Sequence, residues 1–329
     1  MRVDTSQKAG FSDALVTIPS SKLDILERII DWEAIGEHLQ AIGGDYAPLS
    51  LFKMLLLQTW HTLSDAGIAD ALKRDLVFMD FCDFSLEGKK PDAATVCRFR
   101  SRLVSSGLLD KLLVLVNDSL TRQGLKLSNG KYIISDATLL HSARRPRKVI
   151  EVQDDASSVS YSDDVEASWL KKGQQAVYGY SANITTDEEG LIESVSTFSA
   201  NDSEMTRLEA VLDKMRIQAG QVLLYDKGAD SALNREHLKA RGLKDGIMRK
   251  KPKGKPMGHW NRLRNKAIGK RRFVVERTFG TLKRSYGLHR ARYIGIIKTQ
   301  AEVLVKSIAY NIKRAINHYL KQPTRVSCA

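Results

Sequence analysis

Three carboxylates stand out by their neighbours: Asp136 ends the apolar run YIIS, Asp226 ends VLLY, and Glu276 sits alone among cations in KRRFVVERTFGTLKRSYG. Two aspartates closing such runs would lie at the carboxyl edge of a sheet, where open α/β folds place their sites. A strand-end Asp also caps turns, and Asp226 by itself would serve to start the helix behind it. On a helix of ~100° per residue, Arg272, Glu276 and Lys283 share one narrow stripe beside the apolar face of Val275, Phe279, Leu282 and Tyr286. An intrahelical Arg272–Glu276 pair is the simpler use of that glutamate. Such a pair contributes only about 0.3–0.5 kcal/mol and leaves the surrounding cations unexplained. Three acidic oxygen ligands with no His or Cys at ligand spacing suit a hard cation, Mg2+ or Mn2+, and not zinc. Two such ions roughly 4 Å apart activate an attacking oxygen and stabilise a leaving one in an in-line phosphoryl displacement.

The elements that must position these groups fall into two regions. Residues 1–125 read as helices: SKLDILERIIDWEAIGEHL and SLFKMLLLQTWHTLS repeat apolar residues at three and four, and PDAATVCRFRSRLVSSG opens on Pro91-Asp92, a good helix start. In residues 126–329 the grammar changes. KYIISD, QAVYGYSANITTD, GLIESVSTFS and QVLLYD read as strands, MTRLEAVLDKMR as a helix before the last of them, and the Glu276 helix follows. That order predicts an α/β domain, a mixed sheet with helices on both faces. Residues 150–168, acidic and serine-rich, are expected to be a long mobile insertion. Residues 249–268 are expected to be a second, basic and irregular one, and QAEVLVKSIAYNIKRAINHYL a final helix packed on this domain.

Charge names the partner. Residues 241–329 carry 24 Lys and Arg against only Asp245, Glu276 and Glu302, a surplus of 21, while residues 1–240 are acidic by 7. One end of the molecule is therefore built to meet a polyanion. Candidate phosphate contacts are Arg272 before the glutamate and Lys283 and Arg284 after it, Arg144 and Arg145 with Arg147 and Lys148 after Asp136, and Lys250 and Lys251 in the basic insertion. Arg98, Arg100 and Arg102 follow one another on a short helix that would suit a DNA groove, although charge runs are also ordinary solvated faces. Trp260, among cations, would stack on an unpaired base; a lone Trp also anchors loops. Cys82, Cys97 and Cys328 are odd in number with no CxxC pair, so no disulfide framework or zinc site is indicated. No apolar run reaches the ~18 residues of a membrane span, and the N-terminal stretch lacks a signal-peptide core. The expectation is a cytoplasmic, nucleoid-associated protein.

The segments YIISDATLLHS, YGYSANITTDEEGLIESVSTFSANDS, VLLYDKGADS and RRFVVERTFGTLKRSYGLHRARY resemble the blocks of bacterial insertion-sequence transposases of the IS-five family. PDAATVCRFRSRL resembles the helical domain that precedes their core, and together the blocks span most of residues 45–320. The resemblance implies a ribonuclease H-like fold with a DDE triad of Asp136, Asp226 and Glu276 holding two Mg2+ or Mn2+ ions. Arg272 and Lys283 match the family's Arg and Lys flanking that glutamate, whereas Gly269 and Ala229 stand where the family often has tyrosines. It further implies an enzyme that binds the terminal inverted repeats of a mobile element as double-stranded DNA, cuts at the ends and joins the 3′-OH to target DNA. A homodimer on DNA is expected. No nucleotide cofactor is expected, since breaking and making phosphodiesters is nearly balanced in energy. Two other classes share these features: a ribonuclease H-like nuclease that does not join, and a non-catalytic DNA-binding descendant.

Overall fold

Local start signals explain the helices of the first region. The computed structural model describes residues 21–127, 130–146, 148–153, 156–161 and 163–321. The chain divides into two compact units, residues 1–126 with 308–329, and residues 127–307. In the first, α1 (Leu26–Ile29), α2 (Trp32–Leu39), α3 (Pro48–Trp60), α4 (Asp65–Ala71), α5 (Leu76–Phe81), α6 (Ala93–Ser106) and α7 (Leu109–Arg122) follow in order. Pro48 occupies the first turn of α3, where its missing N–H costs nothing, and Asp31, Ser64, Asp75 and Asp92 cap α2, α4, α5 and α6 with side-chain oxygens. Helix α3 is buried nearly all round, Leu51 to Leu57 included, as befits the central helix of this unit. Its Lys53 is buried too, and is tolerated because Glu27 and Asp83 accept from Nζ at 3.0 and 3.1 Å between the rings of Trp32 and Phe81.

The second unit carries β1 (Tyr132–His141), β2 (Lys148–Gln153), β3 (Ala156–Tyr161), β4 (Ser168–Lys172), β5 (Gln175–Thr186), β6 (Ile192–Ser199), α8 (Glu204–Asp213), β7 (Val222–Tyr225), α9 (Ala232–Ala240), β8 (Lys244–Ile247), α10 (His259–Tyr286) and the start of α11 (Ile296–Tyr319). Its main sheet runs β4-β5-β1-β7-β8, with β6 also on β5. Strand β1 is central: antiparallel to β5 on one side and parallel to β7 on the other, with β8 parallel beyond. Helices cover both faces. Leu208 and Leu212 of α8 and Leu238 of α9 pack with Ile133, Leu223 and Tyr225 on one face. Helix α10 buries Ile268, Arg272, Val275, Phe279, Leu282 and Tyr286, and lies along β1 and β7. Thr278 donates to the carbonyl of Gly190 at 3.1 Å. A Cβ at Gly190, whose φ is 87°, would stand 3.0 Å from both Thr278 and Val274, so a glycine there lets the helix approach the β5–β6 turn. Among the described residues no helix is long and apolar enough to cross a membrane.

Three expectations need correction. The stretch 150–168 is not an unstructured insertion throughout: β2 and β3 pair antiparallel from Lys148↔Tyr161 to Gln153↔Ala156, and Ser168 already belongs to β4. Val149, Ile150 and Val152 of β2 are ordinary strand formers, and because a backbone ladder needs only N–H and C=O groups, the serine-rich Ala156–Tyr161 can pair with them. The basic insertion ends earlier than read, since α10 begins at His259 and residues 259–268 are its first turns; lysine and arginine are good helix formers. The final helix does not belong wholly to the second unit. From Ile308 onward it joins the first, where Trp60 Nε1 donates to the Ala309 carbonyl at 2.8 Å and Asn311 to Asn117 at 2.8 Å.

Candidate functional site

Strand register brings two of the three sequence-selected carboxylates together. Tyr132, Ile133 and Ile134 of β1 pair with Val222, Leu223 and Leu224 of β7, so Asp136 and Asp226 come level where that parallel pairing stops. Asp226 follows the last residue of β7 as expected, but β1 continues past Asp136 to His141 on its ladder with β5, so Asp136 lies within its strand and does not close it. Side chains alternate along a strand. Ser135 and Tyr225 therefore point into the opposite face, where Ser135 Oγ donates to Asn183 Oδ1 at 2.6 Å and Asn183 Nδ2 donates to the Tyr225 hydroxyl. That polar strap crosses β5, β1 and β7 directly beneath the two aspartates, and all three of its side chains are buried. Burial pushes the Tyr225 phenol well above its ordinary range, so it stays neutral and keeps its hydrogen for bonding.

On the α10 face, the Arg272 guanidinium lies across both aspartates, with Nη2 at 2.8 Å from Asp136 Oδ2 and Nη1 at 3.1 Å from Asp226 Oδ1. The other oxygen of Asp136 accepts the Ala137 N–H at 2.9 Å. Asp226 precedes a short 3-10 turn at 227–229 but makes no side-chain cap there, so its carboxylate serves Arg272 and not the turn. Burial raises the Asp136 carboxyl above its ordinary value; Arg272 and the Ala137 N–H pull it back, and the charges of Asp226 and Glu276 add to the rise. Glu276 is thus near enough to act on Asp136, yet it is exposed and has no hydrogen bond or ion pair among the described residues. Arg272 turns to the aspartates and leaves Glu276 unpaired, so the simple intrahelical pair is not formed. Among the described residues no three His, Cys, Asp or Glu side chains are gathered closely enough to make a ready metal cage.

The basic candidates differ in how committed they are. Arg98 and Arg102 are exposed, but Arg100 is clamped to Asp65 by two bonds of 2.8 and 2.6 Å, which ties α6 to α4. Arg284, Arg145 and Lys251 are exposed, and Arg144 is exposed with Asp163 at 3.9 Å. Lys283 is exposed and close enough for its charge, after burial, Arg290 and His289, to hold the His141 imidazole below its ordinary value. Lys250 anchors its segment by its backbone, donating to Asp230 at 2.5 Å. Arg147 and the side chain of Lys148 lie outside the described residues. Trp260 is 80% exposed on the first turn of α10, so it does not anchor a loop.

Two features escaped the sequence reading. Asp245 collects Arg235, Arg249 and Arg264, each at 3.2 Å, and pins both ends of the basic segment beside β8. Its only signal was being one of three acids in a basic tail. Asp164, inside the supposed insertion, is fully buried and accepts from the Ser142 and Tyr180 hydroxyls and from the Gly295 N–H. Nothing local distinguishes it from its acidic neighbours.

A family model described as a transposase DDE domain matches residues 132–312, and one described as a transposase domain (DUF772) matches residues 11–102. A curated relative, the transposase for insertion sequence element IS1106 of Neisseria meningitidis serogroup B, is 37% identical over 224 residues, covering 67% of this chain and 77% of that protein. Among solved structures the chain is similar to the piggyBac transposase synaptic complex with hairpin DNA, at 9% identity and TM-score 0.40 over 92% of this chain and 80% of that one. It is also similar to a pre-cleavage Mos1 transpososome, at 10% identity and TM-score 0.23 over 78% of each chain. The DDE-domain match spans more than half of the chain and takes in the level aspartates, the helix with Arg272 and Glu276, and every strand of the main sheet: the chain belongs to the transposase DDE domain family.

Proposed function

We propose that this protein binds the ends of an insertion sequence, cuts the DNA there and joins the freed 3′-OH to target DNA, with Asp136, Asp226 and Glu276 as its catalytic triad on a ribonuclease H-like core. One observation carries the reading most: two aspartates level on adjacent parallel strands meet a cation from the same helix that presents Glu276. The donor set fits hard divalent cations. It consists of carboxylate oxygens, and the aspartate pair already draws the positive charge of a guanidinium between its two members. Asp136, Asp226 and Glu276 would hold two Mg2+ or Mn2+ ions, which lower the pKa of an attacking water or 3′-OH and neutralise charge on the departing oxygen.

The remaining roles belong to the chain's own side chains. Lys283, Arg284, Arg144, Arg145, Lys250 and Lys251 meet phosphates and set the backbone path, which gives affinity without sequence information. Trp260, exposed among cations, stacks on a base made available at the cut. Arg98 and Arg102 on α6 contact the element end and supply discrimination, while Arg100 holds that helix in place. Concerted joining of two ends calls for at least a homodimer on DNA.

The test is incubation of the full chain and Mg2+ with a duplex bearing the inverted repeats that flank its gene, together with a target plasmid. Cut ends that become joined to target are the expected products. Cutting without joining would move the assignment to a nuclease, and binding without cutting to a non-catalytic DNA-binding protein.

A further inference from the structure

Arg272 was assigned to a phosphate by its place beside Glu276, but it is not at the surface. It is 7% exposed, the one buried cation among the lysines and arginines of α10, with one guanidinium nitrogen on Asp136, another on Asp226 and Met248 Sδ at 3.5 Å. Two carboxylates level on neighbouring strands repel each other in a partly buried setting, and a planar guanidinium with several donors fits across such a pair better than a point charge does. The bonds it makes are the ones that matter for occupancy. Asp136 Oδ1 is already engaged by the Ala137 N–H, so Oδ2, the oxygen held by Arg272, is the one left to a ligand.

We propose that Arg272 is an internal counter-ion that occupies the aspartate pair when no divalent cation is present, so that loading the site requires its guanidinium to turn away toward the DNA. The proposal rests on the assignment of Asp136 and Asp226 as metal ligands. The displaced guanidinium has somewhere to go: Glu276 and Lys283, one and three turns along α10, are exposed, so the same helix leads outward to where a phosphate would bind. It also has a reason to leave, since its Nε is buried with no hydrogen-bond partner and remains unsatisfied while the arginine stays. A phosphate that accepts the guanidinium then favours cation binding, and by linkage the cation favours DNA binding by the same factor. The free protein is in this way kept from cutting with whatever divalent cation surrounds it, and DNA at the site releases the block.

The experiment measures Mn2+ binding to the full-length, DNA-free protein by calorimetry or by the electron spin resonance of free Mn2+. Arg272→Gln is expected to bind Mn2+ at least about tenfold more tightly than the wild type, the low end of what an adjacent opposite charge does to a carboxylate's proton affinity. A duplex oligonucleotide should tighten Mn2+ binding to the wild type and have little effect on that of the variant. Equal or weaker Mn2+ binding by a folded Arg272→Gln protein would overturn the counter-ion role. Should the glutamine variant fail to fold, Arg272→Lys, which keeps the charge but cannot span both carboxylates, must show a gain of the same sign. A different result marks failure of the ligand assignment itself: Mn2+ binding by Arg272→Gln that is left unchanged when Asp136→Asn is added to it.

Discussion

Asp136 and Asp226 are set by strand register, by the polar strap beneath them and by a buried guanidinium, whereas Glu276, four residues beyond that guanidinium on α10, faces solvent with no partner among the described residues. One side of the proposed site is finished by the fold, and the other is left to its ligands. The difference follows from the elements. Parallel strands fix side chains through backbone bonds that neighbouring chain segments supply, while an exposed helical side chain is ordered only when something outside binds it. It teaches where substitutions should act: at the two aspartates they should alter chemistry and stability together, and at Glu276 chemistry alone.

The largest effect expected is on chemistry. Asp136→Asn, Asp226→Asn and Glu276→Gln should each lower cutting and joining by more than about 100-fold, beyond the loss usual for groups that merely support a metal ligand. Only Glu276→Gln should leave the melting temperature unchanged, within about 0.5 kcal/mol of stability. A Glu276→Gln protein that still joins DNA at near-normal rates with Mg2+ would break the comparison by removing its open half. Next comes the strap. Asn183→Leu leaves the Tyr225 hydroxyl without its partner in the core, while Ser135 keeps Thr185 Oγ1 at 3.1 Å, and should cost about 1–3 kcal/mol in denaturant melts, with DNA affinity unchanged. Full stability in that variant would show that strand pairing alone aligns the aspartates.

Helix α6 repeats the contrast on a smaller scale. Arg100→Ala breaks the two-bond clamp on Asp65 and should lower stability by about 1 kcal/mol, whereas Arg98→Ala and Arg102→Ala should leave stability alone and weaken discrimination between element ends and random DNA. Equal loss of discrimination in all three, with no change in melting, would place Arg100 on the DNA instead. The smallest effect belongs to Lys283→Ala, which should flatten the salt dependence of end binding by about one counterion. An unchanged slope with lowered stability would assign Lys283 to the fold.

Much of the architecture was readable from the chain because it is written in short-range patterns. Apolar runs of four residues before an Asp gave β7 whole and the first half of β1, which continues past Asp136 to His141; Asp92 and Pro48 marked helix starts, and a three-and-four stripe gave α10. What escaped is long-range. Arg272 reads as a cation bordering the core, and only the folding of β1 and β7 under α10 turns it inward onto residues 136 and 46 positions away in sequence. Arg100 looks like its neighbours until Asp65, 35 residues back, claims it. In the β2–β3 pair, Val149, Ile150 and Val152 announce a strand, but the serine-rich β3 that pairs with it does not.

The last helix bears on how such a protein can be taken apart. Its first turns belong with the DDE core, while Ile308, Ile312 and Ile316, all buried, belong with the helical unit. That unit is therefore made from two separate stretches of the chain, with the core inserted between them in sequence. A single crossover that exchanged the amino-terminal region for another element's would leave the tail of α11 facing foreign neighbours. Modular shuffling of the two parts needs two breakpoints, and a fragment beginning at residue 127 would carry an exposed apolar helix end as its sticky scar.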